Sequence, residues 1–264
     1  MEEYLNRGIK EIIKEFPKIG EILDGYGIGC APCSVGTCLL KDIVEIHDLS
    51  PEDEQELMGR IAGIIYPDRK MEIPRPKKKI RRNKEIKYSP PLKKLVDEHR
   101  LIKRWVALIP VIIKKVDVQI ENDRTLVLSG VEFIQQYADR YHHAKEEDIL
   151  FKYFDEEQDV IKAMHEDHKK ARSHVRALLK GLEERNNAAV KEHLRAYAEL
   201  LTEHIKKEDE ILYPWMDRQL TIGQIGTLFA KFGKVDMKHQ DLHKKYEKLI
   251  DRFVTELKEN VVKV

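Results

Sequence analysis

Four histidines of this 264-residue chain sit in apolar stripes with helix-face spacing. His99 lies among Leu92, Leu95, Ile102, Val106 and Ile109. His142 follows Ile134 and Ala138, with Glu146 and Leu150 after it. His168 lies among Ile161, Met164, Ala171, Val175 and Leu178. His204 follows Tyr197 and Leu201, with Glu208 and Leu212 after it. Residues three and four apart share a helix face, so each of four helices points one imidazole into an apolar seam. Two of them add a carboxylate one turn later. A single histidine in such a stripe is ordinarily a core residue with one hydrogen bond, and a single buried glutamate is seldom left unpaired. Six such burials, one set per helix, need six separate solutions or one shared solution. A dinuclear metal site is the shared one, with carboxylates bridging and imidazoles terminal. By ligand chemistry, imidazole plus carboxylate suits iron, manganese or zinc.

An internal repeat supports the same grouping. HHAKEEDILF (142–151) aligns with HIKKEDEILY (204–213), setting His142 on His204 and Glu146 on Glu208. EHRLIKR (98–104) aligns with DHKKARS (167–173), setting His99 on His168. The bundle then reads as two similar hairpins facing each other. The repeat favours His142 with Glu146 over His143 with Glu147, because the stripe through His143 holds Gln136, Asp139 and Glu147 and reads as solvated. His143, and His165 one turn before His168, are additional candidate ligands. His239 and His243, with Glu247 in register, read as a solvated helix face, with a weak second site as the alternative.

The elements that must position these groups are helices. Long periodic runs fall near 92–120, 129–154, 158–184 and 187–216, joined by short polar links as in an up-down antiparallel bundle. A further helix is expected near 234–258. The fold class is therefore all-α: a four-helix bundle, a small N-terminal helical domain and a C-terminal extra helix. The expected divisions are 1–67, a linker at 68–91, the bundle at 92–216 and an extension at 217–264. In the N-terminal part, Pro17 separates two short helical runs, and Ser50-Pro51-Glu52-Asp53 opens a helix to about Ile65.

Composition agrees. The chain is 42% hydrophobic and 36% charged, which suits long helices with charged outer faces, and its 13 Gly and 10 Pro are sparse for a many-stranded protein. Net charge is +1, so a chain-wide nucleic-acid signature is excluded. The stretch 69–87 holds ten basic and two acidic residues, a net +8 that leaves −7 on the rest. It reads as a solvated tether, with a docking strip for an acidic partner as the alternative. No apolar run is long enough for a membrane span and MEEYLNRGIKEII has no leader pattern, so a cytoplasmic protein without membrane contact is expected.

All three cysteines lie in GIGCAPCSVGTC. Cys30-x-x-Cys33 suits a redox pair, since amides at a helix N-terminus stabilise a thiolate. With Cys38 and a fourth ligand from elsewhere, the thiols could instead hold zinc or anchor an iron–sulfur cluster. Buried free thiols are the third reading.

The segments EHRLIKR, YHHAKEEDILF, HEDHKKAR and EHIKKEDEILYP resemble the hemerythrin-like (HHE cation-binding) family over about residues 92–216. The resemblance implies a bundle carrying two iron ions bridged by oxide or hydroxide. The matching ligands are His99, His142, Glu146, His168, His204 and Glu208. Oxygen-carrying members have two histidines four apart on the third helix. Here Met164 and Arg172 flank His168 at that spacing. With Glu208 four residues after His204, the pattern is closer to the repair-of-iron-centres branch, with two bridging glutamates. It points away from simple reversible oxygen carriage. IKEIIKEFPKIGEILDGYGIGC resembles the small helical DUF1858 domain and the N-terminal domain of iron-centre repair proteins over residues 5–65, which implies a redox-active dithiol or metal-handling thiol site.

Three functions follow as expectations. The first is a redox protein that binds or reacts with oxygen, nitric oxide or peroxide and acts in stress response or iron–sulfur repair, with a redox or iron–sulfur protein as partner. The second is a sensor of iron, oxygen or nitric oxide that signals to a protein. The third is a helical interaction protein whose histidines are structural.

Overall fold

The computed structural model describes residues 2–28, 39–41, 43–47, 49–67 and 86–259. Cys30, Cys33 and Cys38, and the basic stretch 68–85, lie outside the described residues, as do the dithiol, zinc and iron–sulfur readings built on them. The described residues are helical, with one isolated bridge between Gly8 and Leu39. In chain order the helices are α1 (Glu2–Leu5), α2 (Ile9–Glu15), α3 (Pro17–Gly25), α4 (Ile43–Ile46) and α5 (Pro51–Ile65). Then come α6 (Pro90–Lys115), α7 (Glu121–Phe133), α8 (Asp159–Glu183), α9 (Asn187–Lys207), α10 (Tyr213–Gln219), α11 (Ile222–Lys238) and α12 (Leu242–Glu259).

Local chemistry sets the helix ends. Pro17 cannot donate an amide to α2, and its fixed φ suits the first turn of α3. Ser50 Oγ accepts from the Asp53 amide at 3.2 Å and caps α5. Ile9, Ile12, Ile19, Leu23, Leu57 and Ile61 share one buried cluster of these N-terminal helices.

The bundle is a ring in which α6 packs on α9, α9 on α8, α8 on α7, and α6 on the continuation of α7. That continuation is π-helical from Ile134 to His143 and again from Glu146 to Leu150. A third π segment, Glu208–Leu212, joins α9 to α10. Short links enforce the antiparallel order; between α8 and α9, Arg185 turns at φ 53° and Asn186 Oδ1 accepts from the Ala189 amide at 3.1 Å. Two apolar clusters plug the bundle. One holds Trp105, Phe133, Leu178 and Leu194; the other holds Leu95, Leu150, Met164 and Leu212. The histidine stripes pass between the two plugs.

The C-terminal part holds two helices rather than one. A capping box at Thr221 and Gln224 starts α11 directly after the bundle, and α11 ends at His239. His239 and His243 therefore do not share a helix. His239, His243 and Glu247 are all exposed, and His243 Nδ1 also lies 2.7 Å from the Tyr137 hydroxyl, which seats it against the bundle. No described helix is long and apolar enough to cross a membrane.

One close approach is fixed by a glycine. A Cβ at Gly130 would stand 2.0 Å from Cη2 of the fully buried Trp105. Gly130→Ala is expected to destabilise the fold by about 1–3 kcal/mol through overpacking, as read from the denaturant midpoint.

Candidate metal centre

His99, His142, His143, Glu146, His168, His204 and Glu208 are each no more than 3% exposed. They converge in two groups: His99, His142 and Glu208, and His143, Glu146, His168 and His204, the ligand atoms in each within 4.8 Å of one another. The structure thus brings together all six residues singled out by the stripes. It adds His143, whose stripe is not solvated: Asp139 and Glu147 are partly buried there. The π-helical turn is the reason. Its i→i+5 pairing rotates each residue by less than an α-turn does, so adjacent His142 and His143 both face inward. His165 joins neither group. It points to the bundle end, with Nε2 3.3 Å from Glu156 and its ring edge-on to Phe151.

The distances describe two imidazole pairs spanned by carboxylates. His99 Nε2 is 2.9 Å from His142 Nε2, and His168 Nε2 is 3.0 Å from His204 Nε2. Glu208 places Oε2 3.3 Å from His99 Nε2 and Oε1 3.1 Å from His204 Nε2, one oxygen toward each pair. Glu146 Oε2 lies 3.7 Å from His142 Nε2 and 3.5 Å from His168 Nε2, again between the pairs. Its Oε1 accepts from the Tyr213 hydroxyl, and the Tyr213 ring stacks on His99.

A cation fits this donor set. The Nδ1–H groups of His99 and His142 donate to Asp209 at 2.7 Å and Glu98 at 3.0 Å, because a carboxylate only accepts. With both rings neutral, the two Nε2 lone pairs would face each other at 2.9 Å, so the pair must share a cation: a proton on His99, which its buried acids favour, or a metal ion in its place. With metal–nitrogen bonds of about 2.1 Å, two imidazoles at a right angle on one ion stand about 3.0 Å apart. Glu146 Oε2 and both oxygens of Glu208 are buried with no hydrogen-bond partner among the described residues. Burying an ionised carboxylate costs several kcal/mol unless a cation faces it. The groups that face Glu208 are His99 and His204.

Electrostatics give the same picture. Burial, with Glu208 beside it, pushes the Glu146 carboxyl well above the usual range. Glu208 is held well below it: burial opposes ionisation, but His204 and His99 outweigh that. Burial and the neighbouring imidazoles drive His142 and His168 well below ordinary histidine values, which keeps them neutral. The buried acids beside their partners outweigh burial and raise His99, and raise His204 to about 9, so each pair has one imidazole that carries positive charge when no metal is bound.

The sequence repeat continues outward through two further layers. Each orienting acid is the sequence neighbour of a ligand on another helix. Glu98 serves His142 and Asp209 serves His99, while Glu147 accepts from His168 Nδ1 at 2.6 Å and Asp167 faces His204 Nδ1 at 3.6 Å. Each acid meets a cation: Lys145 on Glu98, Lys103 on Asp209, Arg172 on Glu147 and Lys207 on Asp167. Lys145 aligns with Lys207, and Lys103 with Arg172. Sequence reading missed this shell, though the acid–histidine pairs and their repeat in register were its visible signal. Two-fold character breaks where His143 aligns with Ile205 and Phe151 with Tyr213. His143 stacks on His168 and borders a cavity of about 180 Å³ that Asp139, Arg172 and Tyr197 also line.

Outer acids of this kind hold ring orientation and ligand basicity. Asp209→Ala is expected to weaken metal binding by about 10–100-fold while leaving the site occupied at saturating metal, as read by competition with a chelator.

Residues 91–216 match the hemerythrin HHE cation binding domain. Comparison with curated proteins and with solved structures returns no match. The matched stretch contains every residue of both groups, and this part of the chain is similar to that family: an all-α, hemerythrin-like bundle whose buried histidines and glutamates fit a metal-cation site.

Proposed function

We propose that residues 91–216 hold two iron ions and bind or react with oxygen, nitric oxide or peroxide. The observation that carries this reading is Glu208, buried, with one oxygen toward each imidazole pair. His99 and His142 would hold one ion. His168 and His204 would hold the other, with His143 as a further imidazole. Glu208 and Glu146 would bridge. When bound, such a centre supplies one-electron changes at each ion and an open position for a small ligand. The chain's own residues do the rest. The two apolar plugs exclude bulk water. The outer acids keep a proton on Nδ1 of His99, His142 and His168, so that Nε2 stays a donor. The Tyr213 hydroxyl fixes one oxygen of Glu146. The cavity beside His143 is a route for a small molecule to the second pair.

In this proposal the protein serves oxidative or nitrosative stress response, in its concrete form the repair of iron–sulfur centres. Cys30 and Cys33 would cycle between dithiol and disulfide, or with Cys38 hold zinc or a cluster. A redox or iron–sulfur protein would be the partner, and the compartment the cytoplasm. A second reading, a sensor of iron or of a diatomic gas, is favoured by one contact set. Asp236 on α11 meets Lys145, which holds the acid orienting His142, so the C-terminal helices touch the outer shell of the centre.

Metal and labile-sulfide analysis of anaerobically purified protein, with visible spectra before and after air and nitric oxide, tests the proposal. About two irons per chain are expected, with absorption that changes on exposure to gas. Iron-free protein from iron-replete cells would overturn it. Multiple turnover would favour the redox reading, and gas-dependent partner binding without turnover the sensor.

A further inference from the structure

A second pair of histidines stands away from the centre. His174 on α8 and His193 on α9 face each other with Nδ1 atoms 3.4 Å apart, ring centroids 5.6 Å apart and planes inclined by 43°. Both side chains are partly exposed. A separation of 3.4 Å is long for a hydrogen bond between nitrogens. It is the separation of two imidazoles on one tetrahedral ion, about 3.4 Å for metal–nitrogen bonds of about 2.05 Å. The pairs in the centre, at 2.9 and 3.0 Å, have the closer spacing of a right angle on a six-coordinate ion. Partial burial and the facing His193 ring hold His174 below the ordinary histidine value, so its nitrogen is a free donor near neutral pH. The exposed carboxylate of Glu192, next to His193 in sequence, pulls the other way on His174.

We propose that His174 and His193 form a peripheral site for a zinc-class divalent cation, with Glu192 swinging in as a third ligand and water completing the tetrahedron. Nitrogen donors select this class over magnesium and calcium, which take oxygen. An ion held there cross-links the two helices that carry His168 and His204, and so stiffens one half of the bundle. The site is independent of what the buried centre holds.

Calorimetric titration of zinc into the full chain, with resident metal measured before and after, tests this. The expected result is one added equivalent of zinc with resident metal unchanged. His174→Ala and His193→Ala each abolish that equivalent. Glu192→Gln weakens it by about tenfold, in the range of a lost contact to a metal site. His165→Ala, which removes another partly exposed imidazole, leaves it intact. Unchanged resident metal in the variants shows that the bundle is folded. The proposal is overturned if zinc binds only as resident metal leaves, or if both histidine variants keep the wild-type stoichiometry.

Discussion

Glu208→Ala is expected to lower bound metal from about two ions per chain to a small fraction of one, as counted by elemental analysis of the purified protein. The expectation rests on where the two oxygens lie, 3.3 Å from His99 on one side and 3.1 Å from His204 on the other. Each imidazole pair supplies only two neutral donors, so the carboxylates provide both the charge and the link between the ions. Glu146→Ala is expected to act in the same way and also to strand the Tyr213 hydroxyl that Glu146 now accepts. Glu147→Ala should behave differently. Its carboxylate touches Nδ1 of His168 and Arg172 rather than the centre, so its loss weakens binding by about 10–100-fold without emptying the site. The unfolding of metal-free protein separates lost ligation from lost fold. Without a metal ion, Glu208 is a buried carboxylate paired with His99 and His204, so its removal should also cost the metal-free bundle stability. A variant that still unfolds cooperatively yet takes up no metal has lost ligation rather than fold. Wild-type metal content in both bridge variants would sink the ligand assignment.

What made this centre legible is that its ligands interrupt strong apolar periodicities. His99 between Leu95 and Ile102, or His168 between Met164 and Ala171, is conspicuous because every other position on that face is apolar. The internal repeat then assigns Glu146 and Glu208 as equivalents. His143 was harder to place for a physical reason. Stripe counting assumes a constant α-helical turn, and the chain departs from it over Ile134–His143, where two consecutive residues reach the interior. Intrinsic propensity does not specify a π segment. It follows from how the whole bundle packs around the site. The acid shell was hidden for another reason. Glu98, Glu147, Asp167 and Asp209 sit one residue from a ligand, yet each serves a ligand on a different helix. That pairing exists only after the helices assemble. The break at His239 that divides the C-terminal part into α11 and α12 was likewise masked by a continuous polar–apolar rhythm across it.

Lys145→Met is expected to cost about 3–5 kcal/mol in urea unfolding and to loosen the C-terminal helices. Lys145 is fully buried, an arrangement that persists only when the ammonium is paired. Its Nζ meets Glu98, lies 3.1 Å from Asp236 Oδ1 and sits 3.8 Å from the centre of the Tyr141 ring. Methionine replaces the stem with similar volume but leaves Glu98 buried among apolar and neutral groups. Burial already pushes Glu98 up from 4.5 to about 7 despite the lysine, so removing the lysine raises it further. The sign of the pH dependence follows. The folded variant keeps a proton on Glu98 that the unfolded chain releases above about 4.5, so stability falls as pH rises through that value toward the higher folded one. The penalty should therefore be larger at pH 8 than at pH 5. Adding Glu98→Gln should recover part of the loss, since the amide carries no charge and still offers an acceptor to His142. The aligned lysine supplies the contrast. Lys207 pairs with Asp167 at 2.7 Å within the bundle. Lys145 also holds Asp236, which takes a further hydrogen bond from the Tyr141 hydroxyl at 2.9 Å and pairs with Lys94 at 2.7 Å. Faster amide exchange across α11 is thus expected for Lys145→Met and not for Lys207→Met. Equal exchange in the two variants would mean that α11 is held by its apolar contacts alone, and that the outer shell of the centre has no mechanical link to the C-terminal helices.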